Sequence, residues 1–360
     1  MTGAINPTGQ IVTIAGASLG PVGTLYLNAL TNSNIALPTT VAGPTLVATN
    51  AAGLTTNATM FANNVTFGGN RQMTFSGNLT MIGNGDKTLF FTNNATTGTT
   101  LSGNALQFGA VSGTASRTIT MDVASGARAT LSGNITGSLS TGTTSVLKSS
   151  AGTLILSGAN TYNGTTNVSG GALLVNNTTG SGTGSGNVIV STGGALGGGG
   201  IIAGAVSVTG SLRPGQDTGV GIGTLTVGNL VTWNSSSDAD DAWIFQLGLS
   251  AADLAGAASG LSTQDLLEIT AGNFFKGTSG GNWIFDFAGT GEVGWYQLVD
   301  WTGITNFAAG DYTATNLASG LSGTFMVDGT TSALYLNVVP EPRTALIGGL
   351  GLLAMLRRRR

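Results

Sequence analysis

The chain has 360 residues, 60 of them glycine, with 41% hydrophobic and 8% charged residues and a formal net charge of −3. That balance excludes disorder of the weakly hydrophobic, highly charged kind, and the complete absence of histidine and cysteine excludes imidazole or thiol nucleophiles, His or Cys zinc sites and disulfide staples. Upstream of Pro340 seven basic residues stand against fourteen acidic ones, so no nucleic-acid partner is expected.

Aliphatic residues spaced by Gly, Asn, Ser and Thr predict many short strands joined by turns. Residues 1–60 make a β-rich N-terminal segment without a charged residue, containing "QIVTIAG" and "GTLYLNAL". A secretory leader opens with basic residues and an apolar run. Here the first basic residue is Arg71, and the true start is expected to lie elsewhere.

Residues 61–230 are expected to form repeated coils. The motif recurs as "TFSGNLTM" around Ser76, "TLSGNALQF" around Ser102, "TLSGNITG" around Ser132, "LILSGANTY" around Ser157 and "GSGNVIVS" around Ser185, with spacings of 26, 30, 25 and 28 residues. Such spacing suits one coil of a strand-built solenoid. Farther on, "NVIVS", "AVSVT" and "TLTVG" alternate with period two. Their first members Val188, Val206 and Leu225 lie 18 and 19 residues apart and are expected to stack as successive inward rungs. "STGGALGGGG" and "GSLRPGQDTG" are then the corners, where glycine tolerates positive φ.

Composition shifts at residue 231. All five tryptophans, Trp233, Trp243, Trp283, Trp295 and Trp301, fall within 231–338. Trp283, Phe285 and Phe287 alternate with Ile284 and Asp286, a half-buried strand pattern. The stripe suits a core or a cap over the last rung, with a carbohydrate-stacking platform as the alternative. Only "SAADLAGAASGLSTQDLLE" tolerates a helix, so helix content is expected to be low.

The run "AGTLILSGANTYNGTTNVSGGALLVNN", followed by "STGGALGGGG", "GSLRPGQDTGVGIGTLTVGNL" and "DLLEITAG", resembles the autotransporter-associated, or passenger-associated transport, β-strand repeat over residues 151–273. Its most distinctive part is the Leu-x-Leu-Ser-Gly-Ala-Asn-Thr-Tyr element from Leu154 to Tyr162. The resemblance implies an all-β, right-handed parallel β-helix (solenoid) in a surface or secreted protein. No membrane-embedded barrel follows the repeats, so self-transport through an outer membrane is not expected.

Residues 339–360 form a third kind of segment. An uncharged apolar run at 344–356 precedes Arg357, Arg358, Arg359 and Arg360. As a helix it would be roughly 20 Å long, at about 1.5 Å per residue, against a bilayer core of about 30 Å. Snorkelling and local thinning close that gap, and clustered arginines mark the cytoplasmic side of a short membrane helix. Pro340, Glu341 and Pro342, then the apolar run, then basic residues, resemble the PEP-CTERM sorting signal of bacteria that secrete exopolysaccharide. The resemblance implies that an exosortase-type membrane protease reads the three residues, after transient anchoring in the inner membrane, and passes the body to the cell surface or matrix. The prolines are expected to hold the segment extended and out of the sheet.

Chemistry elsewhere is sparse. Gly198, Gly200 and Ala203 have dinucleotide-loop spacing but no βαβ context, so a solenoid corner is the expected reading. Asp238, Asp240 and Asp241 are weak candidates for calcium, without a complete loop signature. Asp86, Asp122 and Asp217, and Arg117, Arg128 and Arg213, are isolated along the chain, whereas polysaccharide cleavage needs paired carboxylates or carboxylates with a base. Threonine pairs such as Thr118 and Thr120, or Thr224 and Thr226, do not recur in register as an ice-binding face requires. No catalytic residue and no cofactor is expected. The chain reads as a non-enzymatic structural or adhesive protein of the cell surface or exopolysaccharide matrix, with cell-surface glycans as possible partners. A polysaccharide lyase or hydrolase and an ice-binding protein are the alternatives.

Overall fold

A computed structural model describes residues 64–341 apart from 71, 76–77, 82–84, 104, 109–114, 138–141, 216–221, 235–240, 249–263 and 278–282, and between residues 3 and 61 the backbone of strands only. The described residues are built almost wholly from short strands. There is no α-helix among them, only 3-10 turns such as Ala309–Asp311.

Neighbouring strands run parallel and in register, one coil apart. A typical coil enters Val65–Gly69 on a first sheet, turns into Met73–Phe75 on a second and Asn78–Met81 on a third, then returns to the first at Lys87–Phe91. Among the described residues the first sheet has 12 strands and the second 10. The third ends at Asn134–Thr136, and a six-stranded sheet opens at Ile201–Ile202. Among the described residues the strands thus form a parallel β-solenoid, with a third sheet beside the first two up to Thr136 and a six-stranded one from Ile201.

Most strands alternate buried and partly exposed residues, as Arg117–Val123 does, while Gly194–Gly198 is buried throughout. The buried members line up in columns. One runs Val65, Leu89, Met121, Lys148, Val168, Val190, Val208 and Trp233. Another runs Met73, Thr99, Ala129, Leu154, Leu173, Leu196 and Leu212. No coil can bury its own apolar face, so each rung is stabilised by its neighbours, at about 1.5–3 kcal/mol for a fully buried aliphatic side chain.

Corners are held by asparagine. The Asn78 side-chain carbonyl accepts the Ala105 N–H at 3.1 Å, Asn134 that of Ala159 at 2.9 Å, and Asn187 that of Ala205 at 3.2 Å. Each bond joins one coil to the next where the sheet ladder is interrupted, which satisfies an otherwise unpaired donor. Gly198 has φ +99°, and a Cβ there would lie 2.2 Å from the Val175 carbonyl oxygen. Only glycine fits, and of the Gly198–Ala203 stretch only Gly199 and Gly200 turn between strands, because Gly198 ends one strand and Ile201–Ile202 forms the next.

Several expectations need correction. Ser102, Ser132 and Ser157 occupy one corner on successive coils, their N–H groups donating to Phe75, Leu101 and Leu131; Ser76 lies outside the described residues. Ser185 is at a different corner, its N–H donating to Tyr162, and Asn176 takes the expected place by donating to Leu156. Small polar residues suit any tight corner, so the motif does not identify which corner it forms. Val188 and Val206 do stack, but Val206 is followed by Val231. Leu225 is buried on the six-stranded sheet between Ile201–Ile202 and Leu266–Ile269. The two expected glycine corners contain strands, Gly194–Gly198 and Ser211–Pro214; in the first, the backbone of neighbouring coils approaches too closely at Gly197 and Gly198 for a Cβ, a setting in which a strand takes glycine.

The aromatic segment prolongs the same core. Trp233 stacks on Trp243 with ring centroids 3.7 Å apart, and Phe285 meets Trp233 edge-on at 5.1 Å. Trp283, Phe285 and Phe287 are all buried, so the stripe is core and not an exposed platform. Of the helix-tolerant stretch, residues 250–263 lie outside the described residues, and Leu266–Ile269 is a strand. On the six-stranded sheet the parallel pattern ends at Gly294–Trp301, which pairs antiparallel with Ala333–Pro340, and Ala333–Pro340 in turn with Leu321–Asp328, while Tyr312–Thr315 still pairs parallel with Trp283–Asp286. No helix among the described residues is long and apolar enough to cross a membrane. The apolar run at 344–356 and the four arginines lie outside them.

Candidate functional site

Charged side chains in the coils have been absorbed into the scaffold. Arg117 points inward. Its guanidinium donates to the Phe108 carbonyl and, at 3.0 Å, to that of Met81, and burial lowers its pKa against the opposing effect of Asp86. The Asp86 carboxylate accepts the Thr118 N–H at 2.7 Å. Lys148 replaces an aliphatic residue in the first column, and its ammonium donates to the carbonyls of Ser149, Ser150 and Gly170 at 2.8, 2.6 and 2.9 Å. It thereby holds a corner in which Ser150 has φ +63°. Burial brings its pKa down to about 8, with Asp122 acting against this. Arg213 donates to Ser211 at 3.2 Å, and Asp217 lies outside the described residues. Of the charges considered for polysaccharide cleavage that the structure describes, Arg117 and Asp122 share one strand with Asp86 beside it, and Arg213 stands on another strand.

Asp265 is a titratable group that the sequence does not single out. Fully buried, it accepts the N–H groups of Gly223 at 3.0 Å and Gln246 at 2.7 Å, tying three segments together. Burial pushes its carboxyl up to about 7.

Of the calcium candidates, Asp238 and Asp240 lie outside the described residues. Asp241 is buried, with one oxygen accepting the Gly193 N–H at 3.0 Å. Among the described residues no group of three or more His, Cys, Asp or Glu can hold a metal ion.

The named threonine pairs do not recur from coil to coil, as expected, but another row of threonines does. Thr120 is followed by Leu147, and Thr226 by Glu268, so those pairs do not continue. Thr74, Thr100 and Thr130, however, stand in register on three successive coils before Ile155 and Leu174 end the row. The spacing between coils varies too much for the row to be read along the sequence.

The terminal segment also departs from expectation. Pro340 is the last residue of a strand and pairs with Leu321, and the next N–H, that of Glu341, donates to Gly320 at 2.9 Å. The Gly294–Trp301 strand pairs only as far as Val338. Pro340 therefore has a partner strand on one side, where a missing N–H is tolerated. Pro342, Arg357, Arg358, Arg359 and Arg360 lie outside the described residues.

The six-stranded sheet presents a distinctive outer face. Along Gly294–Trp301 and Ala333–Pro340, Tyr296, Leu336 and Val338 turn inward, and the alternate residues turn outward. Trp295 faces Asn337, which faces Thr324; Gln297 faces Tyr335, which faces Met326. Trp295 is 43% exposed and Met326 40%. Glu268 and Asp300 sit on facing positions of the same sheet.

Residues 146–175 match the family model of the passenger-associated-transport-repeat. No curated protein matches the chain. The match contains the strands Thr153–Leu156, Thr166–Val168 and Gly171–Val175 and the corner between the first two, where the chemistry of the element becomes legible. Leu154 and Leu156 face inward. The Asn160 carbonyl accepts the Ile135 N–H of the preceding coil at 2.7 Å, while its amide donates to Gly182 of the following one. Tyr162 fills the interior, hydrogen-bonded to Thr166 at 2.7 Å. The element joins three coils. A repeat of this kind points to a secreted or cell-surface protein.

Proposed function

We propose that the chain is a non-enzymatic, exported solenoid that serves as a structural or adhesive part of the cell surface or exopolysaccharide matrix. The observation that carries the reading is the passenger-associated repeat at 146–175, set within an uninterrupted stack of parallel coils. Its extended columns of inter-coil bonds suit a stiff spacer better than a mobile catalyst.

Delivery is assigned to the C-terminal segment. An exosortase-type membrane protease reads Pro340, Glu341 and Pro342, while the apolar run and Arg357 to Arg360 hold the tail transiently in the inner membrane. Since Pro340 and Glu341 are bonded to the Leu321–Asp328 hairpin arm and its preceding turn, processing requires the last pairs of that hairpin to open or to form afterwards. Glycans of the matrix are the proposed partners.

The test is expression of the full chain in an exopolysaccharide-secreting bacterium, followed by cell fractionation and mass spectrometry of the C-terminal peptide. The expected product is a body on cells or matrix that lacks the four arginines. A soluble cytoplasmic product with intact arginines overturns the proposal. Turnover of pectin-like or alginate-like polymers, or thermal hysteresis, replaces the structural role by the corresponding alternative.

A further inference from the structure

Four of the five tryptophans are 7% exposed or less; Trp295 alone, at 43%, faces solvent. Its setting is not that of a core residue left uncovered. It stands in one cross-strand row with Asn337 and Thr324, next to a row of Gln297, Tyr335 and Met326. Residues facing each other across antiparallel strands have Cβ atoms about 4.5–5.5 Å apart, so aromatic side chains stand beside amides and a hydroxyl on one face of three neighbouring strands. Flat apolar rings bordered by amide and hydroxyl groups match a pyranose, with its C–H face and its rim of hydroxyls.

Charge narrows the ligand. None of the six strands of this sheet contains Lys or Arg, and Glu268, Asp300 and Asp328 all belong to it. A uronate-rich or sulfated polymer would bring like charges together, which costs affinity. Neutral hydroxyls can instead donate to the carboxylates.

We propose that the outer face of the six-stranded sheet, centred on Trp295 and Tyr335, binds a neutral polysaccharide chain. The inference rests on the matrix-associated reading above and names its ligand class and its site.

Acrylamide quenching of intrinsic fluorescence tests it on the unaltered full chain, because Trp295 supplies most of the quenchable emission. Cellohexaose, as the neutral probe, is expected to protect that emission, whereas an alginate oligomer is not. In pull-down on insoluble cellulose, Trp295→Ala is expected to weaken retention about tenfold. Trp295→Phe retains most of the binding, and Ile304→Ala, at an exposed corner elsewhere, retains all of it. Absence of protection by cellohexaose, stronger protection by alginate, or full retention of a folded Trp295→Ala variant overturns the assignment. Quenching on the unaltered chain decides the matter should that variant fail to fold. Surface location is read separately by fractionation, so a matrix-bound protein without glycan protection sinks this inference alone.

Discussion

The coils between residues 64 and 215 and the segment after residue 231 solve one problem in two ways. In the first region most rungs are aliphatic, with Phe67, Phe75 and Phe91 packed together near its start, and several coil ends are tied by asparagine side chains that accept N–H groups one coil away. In the second, Trp233, Trp243, Phe274, Phe285 and Phe307 form a broad aromatic core, and the parallel stack turns into an antiparallel hairpin. A repeating coil exposes its last rung, and an unpaired sheet edge invites association. Large rings and a reversed strand finish the stack in a way that another slender rung cannot. The difference teaches that repetition governs the middle of this molecule, while its end needs bulk.

The comparison breaks most visibly at Val206, which lies between Val188 and Val231 at 2% exposure. Val206→Asp places an unpaired charge in the column, at a cost of more than about 4 kcal/mol. Circular dichroism during heating should show the coils losing their cooperative transition, and an unchanged melting temperature would remove Val206 from the column. Trp243→Ala empties the stacked pair and should cost about 3–5 kcal/mol. The loss should appear first in the near-ultraviolet signal of the aromatic end.

Asp265 sharpens the contrast through pH. Its carboxyl titrates at about 7 in the fold rather than at 3.8, so the native state keeps a proton that the unfolded chain has released. Stability from this group is complete below about pH 4 and is lost as pH rises to about 7, by about 4 kcal/mol at most. Asp265→Asn should flatten that slope in denaturant titrations at pH 4 and 7. An unchanged slope assigns the pH dependence to another group. The smallest effect belongs to the asparagine ties: Asn187→Ala removes one inter-coil hydrogen bond and should cost about 1 kcal/mol, measured by chemical denaturation. A loss as large as that at Trp243 would mean that the corners, and not the columns, dominate the middle region.

Much of this was legible along the chain. Period-two alternation in "NVIVS" and "AVSVT" correctly assigned the buried faces of Val188 and Val206, and "LILSGANTY" marked the coil that matches the passenger-associated repeat. Leu225 shows the limit. Its alternation correctly announces a buried side chain, yet its column is on another sheet. Ser185 shows the same limit for corners, and Asp265 carries no local signal because its two donors come from residues 42 and 19 positions away.

Composition and local pattern by themselves determined that this chain forms short strands and tight corners, which side chains go inside, and which reactive groups are missing, because those properties depend on residue type and period two. Tertiary structure alone decided which strand lies beside which, that Thr74, Thr100 and Thr130 form a row, that Pro340 ends a strand, and that Trp295 faces outward. The reason is that each partner in the parallel stack is a whole coil away, and that the partners of Trp295 and Pro340 come from antiparallel strands that form only where the stack reverses. The distance along the chain to that partner changes with each corner, so no fixed spacing in the sequence records it.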